Sequence, residues 1–238
     1  MCSFGMLTLA TTHPGEPEIF ASVQGEGRSA GLLCTFVRLS RCNLACTWCD
    51  TAYTWRFTDY DRKANQIILS EADTAARIMA LGGERLVITG GEPLLQGANL
   101  ARMAVLLSGH RIEIETNGTV VPHASLDQLV AQYNVSPKLK HSGNPAELAL
   151  LSERLMAWSN EPKAQFKFVI SAPEDLTEVL ELQAIYAIPS ERIQLMPEGT
   201  TSAAIRARTA WLAPLALDHG LGFSDRLHIH LYGDTRGT

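Results

Sequence analysis

The chain has 238 residues, enough for one large domain with a sizeable core. Its 20 Lys and Arg and 25 Asp and Glu give a formal net charge of −5, and no basic run occurs, so nucleic acid is not expected as a partner. No apolar run approaches the ~20 residues of a membrane helix, and the first residues lack the pattern of a signal peptide. We therefore expect a cytoplasmic protein that does not bind a membrane.

Short apolar runs alternate with longer segments of helical period along most of the chain. A helix is predicted over 70–81, with Ser70 as its N-cap and Gly82 and Gly83 as its end. The predicted strands are 18–23, 33–39, 85–88, 111–115, 133–135, 165–170, 192–195 and 227–231. The other predicted helices are 99–107, 123–131, 145–158, 174–186 and 203–217.

This alternation predicts an α/β fold. Strands separated by helices of ten or more residues require right-handed crossovers, which give a parallel sheet covered by helices. There are too few strands for a closed eight-fold barrel, so we predict a partial, open parallel β/α barrel. No repeat, linker or low-complexity segment marks a boundary, and one domain is expected over 1–238. Ligands of such folds bind at the carboxyl ends of the strands.

Three cysteines in one tight loop, Cys42, Cys46 and Cys49, have the spacing C-x3-C-x2-C. Structural zinc sites and electron-transfer iron–sulfur clusters are normally closed by four protein ligands, and no fourth cysteine lies nearby in sequence. A zinc site completed by a remote histidine and a set of inert thiols are the alternatives. The spacing favours an iron–sulfur cluster with one open metal position. Cys2, near the terminus, and Cys34, in an apolar run, do not suggest a disulfide framework.

Polar motifs follow several predicted strands. The sequence Thr-Gly-Gly-Glu-Pro at 89–93 combines glycines, which allow a ligand to approach the backbone, with the Glu92 carboxylate, which can accept from an ammonium group. The segments 115–118, 136–138 and 196–199 come after three further strands. Each is also compatible with an ordinary turn. Their shared position at strand ends favours a role in binding.

Two further candidates lie close to the cysteine loop in sequence. Gln24 and Glu26, in the turn Val-Gln-Gly-Glu-Gly at 23–27, offer an amide and a carboxylate suited to the edge of a polar heterocycle. Arg38 stands four residues before Cys42 and can form a bidentate pair with a substrate carboxylate. A surface salt bridge is the alternative for Arg38, and its position at the end of an apolar strand favours binding.

The cysteine spacing followed by Gly-Gly-Glu-Pro resembles the radical S-adenosylmethionine (SAM) superfamily. In that superfamily three irons of a 4Fe–4S cluster take the thiolates and the fourth iron takes the amino and carboxylate groups of SAM. Together with the Gln-Gly-Glu-Gly turn, Arg38, the Cys-Asp-Thr ending of the loop and the Ser-Pro-Lys turn, the chain resembles the 7-carboxy-7-deazaguanine synthase family. The resemblance extends from about residue 18 to the C-terminus.

The resemblance implies an enzyme that converts 6-carboxy-5,6,7,8-tetrahydropterin to 7-carboxy-7-deazaguanine and ammonia, for queuosine and related 7-deazapurines. Its members use a 4Fe–4S cluster, SAM and Mg2+, and the reaction begins with a 5′-deoxyadenosyl radical, so no catalytic side chain is implied. An external, flavodoxin-like electron donor and a homodimer with a reduced barrel are also implied.

Matching the family motifs to this sequence implies a role for each of thirteen residues. The cluster ligands would be Cys42, Cys46 and Cys49, and the Mg2+ ligand would be Thr51. The residues implied to contact SAM are Gly91, Ser136, Pro137 and Lys138. The residues implied to contact the pterin are Val23, Gln24, Gly25, Arg38 and Thr89.

Two alternative functions remain open from the sequence. A glycyl-radical-enzyme activase shares the cluster and Gly-Gly-Glu-Pro motifs but would not need the Gln-Gly-Glu-Gly turn or Arg38. A non-catalytic iron–sulfur electron-transfer protein would need a fourth thiolate. The tail 227–238 departs from the shorter tails of some family members, and His228 and His230 are expected on one strand face. A metal role for this pair is possible, while packing or surface exposure is the simpler expectation.

Overall fold

The computed structural model describes residues 5–238, so the expectation for Cys2 lies outside the described residues. The strands of this part of the chain are β1 (Met6–His13), β2 (Glu16–Pro17), β3 (Ile19–Val23), β4 (Leu33–Leu39), β5 (Gln66–Ser70), β6 (Arg85–Gly90), β7 (Arg111–Thr116), β8 (Val130–Val135), β9 (Ala164–Ile170), β10 (Ile193–Pro197) and β11 (Gly222–Phe223). Its α-helices are α1 (Arg62–Asn65), α2 (Glu71–Leu81), α3 (Gly97–Leu106), α4 (Ala124–Asp127), α5 (Ala146–Ala149), α6 (Ser152–Asn160), α7 (Asp175–Tyr186), α8 (Ser202–Asp218) and α9 (Leu227–Tyr232).

The sheet is mostly parallel and does not close. Strands β4, β6, β7, β8, β9, β10 and β11 are neighbours in that order, and each is parallel to the next. Antiparallel strands extend the other side: β1 and β3 pair with β4, and β2 and β5 pair with β1. The predicted open α/β barrel is therefore confirmed.

Side chains alternate between two environments along each parallel strand, as the pleat requires. In β9, Phe166 and Phe168 are fully buried in the apolar core, which also includes Leu176 and Val179 of α7. Lys167, between the two phenylalanines, instead lines a cavity on the inner side of the sheet. The outer face of the sheet thus forms the hydrophobic core, and the inner face can carry polar side chains.

A polar hydrogen-bond chain occupies the inner face of β7 and β8. Ser29 Oγ donates to Glu113 Oε1 over 2.7 Å, and Gln132 Nε2 donates to Asn134 Oδ1 over 2.9 Å. Asn134 Nδ2 in turn donates to Glu115 Oε1 over 2.9 Å. These partners satisfy polar groups that would otherwise be costly to bury.

Two helix predictions differ from the structure. The predicted helix 123–131 is limited to α4, because Val130 already begins the buried strand β8 that pairs with β7. The predicted helix 145–158 is divided into α5 and α6, since Leu150 leaves helical geometry, with φ −124° and ψ 51°. Leu150 packs there against both the main core and the small cluster around the cysteine loop.

The predicted strand 227–231 was wrong, because this segment is the helix α9. Strands β1 and β5 were not predicted, although five residue pairs join them. The start of α2 agrees with prediction: the Ser70 side chain accepts from Asp73 N, and Gly82 ends the helix with φ 73°. Within residues 5–238, no helix combines the length and apolar character needed to cross a bilayer.

Candidate functional site

The carboxyl ends of the parallel strands meet along one edge of the sheet. Leu39 is paired with Gly90, Thr116 with Val135, and Ile170 with Pro197, and each pair lies at the end of its strands. The loops that follow enclose a cavity of about 410 Å³. This is the location expected for a ligand site in a parallel α/β fold.

Twelve of the thirteen residues implied by the family motifs line this cavity, and Pro137 does not. The lining residues among them are Val23, Gln24, Gly25, Arg38, Cys42, Cys46, Cys49, Thr51, Thr89, Gly91, Ser136 and Lys138. They come from five separate segments of the sequence. The fold therefore brings together the residues that the motifs singled out.

The cysteine loop packs on its own small apolar cluster. Cys46 is buried against Leu44 and Ala149, while Cys42 and Cys49 are partly buried beside them. Burial raises the pKa of Cys42 to about 11 and also raises the pKa of Cys46, whose thiolate is favoured by the charge of Lys138. Binding of a metal centre at these sulfurs would therefore be coupled to release of protons.

The three sulfurs suit a 4Fe–4S cluster. Cys34 lies near the amino end of β4, at the opposite edge of the sheet, and is not available to the loop. Among residues 5–238, no group of three His, Cys, Asp or Glu side chains surrounds a single ion position. A 4Fe–4S cluster attaches each thiolate to a different iron, so its ligands need not converge on one point.

The glycines at the end of β6 permit close packing of backbone against backbone. Gly91 N donates to Leu39 O over 3.1 Å, and Glu92 N donates to Arg41 O over 2.9 Å. A Cβ atom on Gly91 would overlap the Arg41 carbonyl, and one on Gly90, whose φ is 135°, would overlap Leu39. These glycines therefore fix the base of the cysteine loop, besides lining the cavity.

Replacing Gly91 by alanine is expected to displace Arg41 and with it the adjoining Cys42. Overpacking of this kind costs about 1–3 kcal/mol of folding stability, and the cluster content should fall as well. Gly109→Ala is the matched control, because a Cβ at Gly109 would meet nothing within 4 Å. Iron and sulfide analysis with thermal unfolding checks the prediction, which fails if both variants behave as wild type.

Glu92 does not face the cavity, and the interpretation of its carboxylate as an acceptor for an ammonium group was wrong. The residue is fully buried and accepts from Asn117 N at 2.7 Å, Leu94 N at 2.9 Å and Thr116 Oγ1 at 2.9 Å. Burial raises the pKa of Glu92 to about 7, against the opposing effect of these donors. Its role is to join the loops after β6 and β7.

Arg38 belongs to a buried ion pair on the cavity wall. Its Nε lies 2.7 Å from Glu18 Oε1, and Tyr53 Oη donates to Glu18 Oε2 over 2.8 Å. Glu18 is fully buried, so the alternative of a surface salt bridge does not apply. Among the described residues, none accepts from the Nη groups of Arg38, and Glu18 and Tyr53 hold these groups beside the cavity.

A lysine between two carboxylates forms another part of the wall. Lys167 Nζ lies 2.6 Å from Glu26 Oε2 and 2.9 Å from Glu115 Oε2. Burial alone would lower the pKa of Lys167, but the two carboxylates raise it above its ordinary value. Gln24 Nε2 also donates to Glu115 over 3.2 Å. The group presents charged and neutral polar atoms to one side of the cavity.

Glu26 is also paired with a residue from the C-terminal segment. Arg226 Nε lies 2.9 Å from Glu26 Oε1, and the Arg226 guanidinium contacts Asp50. Burial opposes ionisation of Glu26, yet the charges of Lys167 and Arg226 hold its pKa well below the ordinary value. The cysteine loop, the turn at 23–27 and the C-terminal segment are thus linked by charge.

The C-terminal residues close one side of the cavity. His228 lines it, with Nε2 3.9 Å from Glu26 Oε1, whereas His230 bonds to Ser202 and Asp225. The two histidines lie on a helix and have different surroundings, so the expectation of a shared strand face was wrong. Arg236 packs over the Tyr53 ring at 3.4 Å and donates to Asn65 over 2.9 Å.

Sequence reasoning did not identify Lys167, Arg226, Glu18 or Tyr53 as site residues. A lysine between two phenylalanines in an apolar strand was a usable signal for Lys167, because an unpaired lysine is rarely buried. Arg226 and Glu18 have no such local signal, since only the tertiary fold brings them to the cavity.

Comparison with known proteins agrees with this geometry. The model of the Radical SAM superfamily matches residues 37–136. The 7-carboxy-7-deazaguanine synthase of Pyrobaculum aerophilum is 37% identical over 224 residues, covering 92% of this chain and 95% of the relative. That of Halobacterium salinarum is 35% identical over 246 residues, covering 93% and 91%.

A solved structure shares the fold. The crystal structure of QueE from Escherichia coli aligns with a TM-score of 0.64 at 24% identity, over 93% of this chain and 95% of that one. The sequence relatives match nearly the whole chain, and the cavity contains the cysteines of the superfamily motif. The chain therefore belongs to the 7-carboxy-7-deazaguanine synthase family of radical SAM enzymes.

Proposed function

We propose that this enzyme converts 6-carboxy-5,6,7,8-tetrahydropterin to 7-carboxy-7-deazaguanine with loss of ammonia. The observation that supports this most strongly is that one cavity contains the three-cysteine loop, the oriented Arg38 guanidinium and the Glu26–Lys167–Glu115 group. A carboxylated heterocycle with several N–H groups complements these charges. The relatives of matching length have the corresponding name.

The family implies a 4Fe–4S cluster and SAM. Cys42, Cys46 and Cys49 would supply the three thiolates of the cluster. When bound, the cluster and SAM together supply a 5′-deoxyadenosyl radical for hydrogen abstraction. For SAM we propose contacts with Gly91, Ser136, Pro137 and Lys138. Lys138 Nζ donates to Ser136 Oγ over 2.8 Å, which orders this turn beside the cysteine loop and supports the proposal, although Pro137 itself does not line the cavity.

For the pterin we propose contacts with Val23, Gln24, Gly25, Arg38 and Thr89. Arg38 would bind the substrate carboxylate through its Nη groups, because Glu18 already occupies its Nε. Glu26 and Glu115 would accept from N–H groups of the heterocycle, while Lys167 pairs with both carboxylates. These side chains bind and orient the substrate, and the closed C-terminal side limits access of water.

A magnesium ion beside the substrate carboxylate is part of the proposal, with Thr51 as its protein ligand. The Thr51 hydroxyl lies 3.7 Å from Cys49 Sγ and lines the cavity, so it adjoins both the cluster loop and the substrate space. Mg2+ prefers oxygen ligands and retains water or substrate oxygens. It would neutralise the carboxylate and fix its position.

Replacing Thr51 by alanine is expected to weaken the dependence of turnover on Mg2+, raising the half-saturating concentration about tenfold for one lost ligand. Thr58→Ala is a suitable control, because Thr58 is exposed and hydrogen-bonds only to Asp59 within the described residues. Titration of Mg2+ against product formation makes the measurement. An unchanged titration would remove Thr51 from the metal site.

We also propose that the whole chain forms a single radical SAM domain, that it acts as a homodimer, and that an external flavodoxin-like protein supplies its electron. The continuous sheet order from β11 to β2 supports the first of these. Size-exclusion chromatography with light scattering tests the second, and reduction by a purified flavodoxin tests the third.

The proposed reaction is tested by anaerobic incubation of the reconstituted, reduced protein with SAM, Mg2+ and 6-carboxy-5,6,7,8-tetrahydropterin. We expect 7-carboxy-7-deazaguanine by mass spectrometry, together with 5′-deoxyadenosine. Cleavage of SAM without a deazapurine product would reject the substrate assignment and leave the radical chemistry in place.

A further inference from the structure

Two of the three cysteine sulfurs have a side-chain N–H donor at short distance. Trp55 Nε1 donates to Cys49 Sγ over 3.3 Å, and Asn144 Nδ2 donates to Cys46 Sγ over 3.2 Å. The third sulfur has the more distant Asn117 Nδ2, at 3.8 Å from Cys42 Sγ. The donors come from three separate loops, and none of them belongs to the cysteine motif itself.

Both short donors are held in position by additional contacts. The Arg56 guanidinium lies over the Trp55 ring, 4.8 Å from its centre, and Arg56 Nη2 donates to Cys46 O over 3.3 Å. Asn144 Oδ1 accepts from Ala45 N over 2.8 Å, so the same side chain fixes the loop and points its amide at the sulfur. Neither indole nor amide is free to turn away without losing these contacts.

We infer that Trp55 and Asn144 are positioning residues that set the reduction potential of the 4Fe–4S cluster through N–H···S hydrogen bonds. Reduction adds one electron, supplied by an external one-electron donor, and so adds negative charge to the iron–sulfur core and its thiolates. An N–H donor stabilises that charge more in the reduced than in the oxidised cluster and raises the potential. The inference rests on the cluster of the proposed function and not on its substrate.

The chain offers a matched control for the indole N–H. Trp48 lies between Cys46 and Cys49, and within residues 5–238 its buried Nε1 has no hydrogen-bond partner. Trp55→Phe and Trp48→Phe therefore remove the same N–H group from the same loop region. Only the first removes a hydrogen bond to a cluster ligand.

The test is an anaerobic redox titration of the reconstituted holoprotein, without SAM or substrate, followed by the electron paramagnetic resonance signal of the reduced cluster. At the wild-type midpoint potential, the ratio of reduced to oxidised cluster should fall about threefold in Trp55→Phe and similarly in Asn144→Leu. This fall corresponds to a lowering of the midpoint potential by about half of the 59 mV that a tenfold change represents for one electron. Trp48→Phe should keep the wild-type ratio. A wild-type ratio in Trp55→Phe, or an equal fall in Trp48→Phe, would overturn the inference.

A second measurement does not depend on cluster assembly in the Trp55 variant. The sample is Trp48→Phe protein with 15N-labelled indoles. Electron–nuclear double resonance should show a coupling between the reduced cluster and the 15N of Trp55. Absence of that coupling would also overturn the inference. Because neither experiment includes substrate, their results are independent of whether a deazapurine is formed.

Discussion

Replacing Cys46 by alanine is expected to abolish the 4Fe–4S cluster and all turnover. Cys46 is the most buried of the three loop cysteines, and it packs in one cluster with Leu44 and Ala149. With one thiolate removed from a three-thiolate set, only two protein ligands remain for four irons. Iron and sulfide analysis of the reconstituted protein, together with its visible absorbance, measures the loss of the cluster.

The matched control for this substitution is Cys34→Ala. Cys34 is also buried, but it lies near the amino end of β4, and among the described residues its thiol hydrogen-bonds only to Leu32 O. This variant should lose some stability and keep its cluster. A Cys46→Ala protein with full cluster content, or a Cys34→Ala protein without a cluster, would contradict the ligand assignment.

Replacing Lys167 by methionine is expected to have the second large effect. The substitution removes a buried ammonium group and leaves the partly buried carboxylates of Glu26 and Glu115 without the partner that they share. Removing one partner of a buried ion pair costs about 3–5 kcal/mol. We also expect kcat/KM to fall roughly 100-fold, because charge-assisted hydrogen bonds to the substrate are worth about 1.5–3 kcal/mol each.

The loss of stability in Lys167→Met should depend on pH. In the wild type the pKa of Glu26 lies well below the ordinary 4.5, so its ionised form contributes stability above pH 4.5 that is lost as pH falls through the lower, folded pKa. The pKa of Lys167 is raised above 10.5, so this residue stays charged throughout that range. The difference between variant and wild type should therefore be largest near neutral pH and shrink below pH 4.5.

Lys163→Met is the control for this second prediction. Lys163 pairs with Asp127 over 2.6 Å, but both side chains are partly exposed, at 27% and 33%. Exposed pairs contribute about 0–1 kcal/mol. Urea unfolding of both variants from neutral pH to well below pH 4.5 makes the comparison, and equal, pH-independent losses in the two would show that Lys167 has no special role.

The sequence predicted the location of the site well because its motifs follow strands. The parallel alternation places strand ends at one edge, where the cysteine loop, Gly91 and Ser136 follow predicted strands and Thr89 lies near the end of β6. The same reasoning misjudged Glu92, because the direction of a side chain after a Gly-Gly turn depends on the packing of Arg41 and Asn117 against it. Spacing along the chain does not contain that information.

The C-terminal segment shows why other features could not be predicted. The sequence Leu-His-Ile-His-Leu at 227–231 alternates apolar and polar residues, which is typical of a strand. In the structure Ile229 is the only buried residue of α9, and Leu227 N donates to Gly25 O over 2.9 Å, which directs the chain into a helix against the turn at 23–27. Short apolar patterns are ambiguous, and here a contact between residues about 200 positions apart decides the structure.

The most direct test asks whether the cavity aligns the carboxylate-bearing ring carbon of the substrate with the SAM site. It uses 6-carboxy-5,6,7,8-tetrahydropterin with deuterium on that carbon. Arg38 would hold the carboxylate beside the cysteine loop, on the wall that also contains Thr51. Deuterium should then appear in 5′-deoxyadenosine during turnover of the wild-type enzyme, as measured by mass spectrometry. Formation of 5′-deoxyadenosine free of deuterium from this substrate would contradict the proposed orientation.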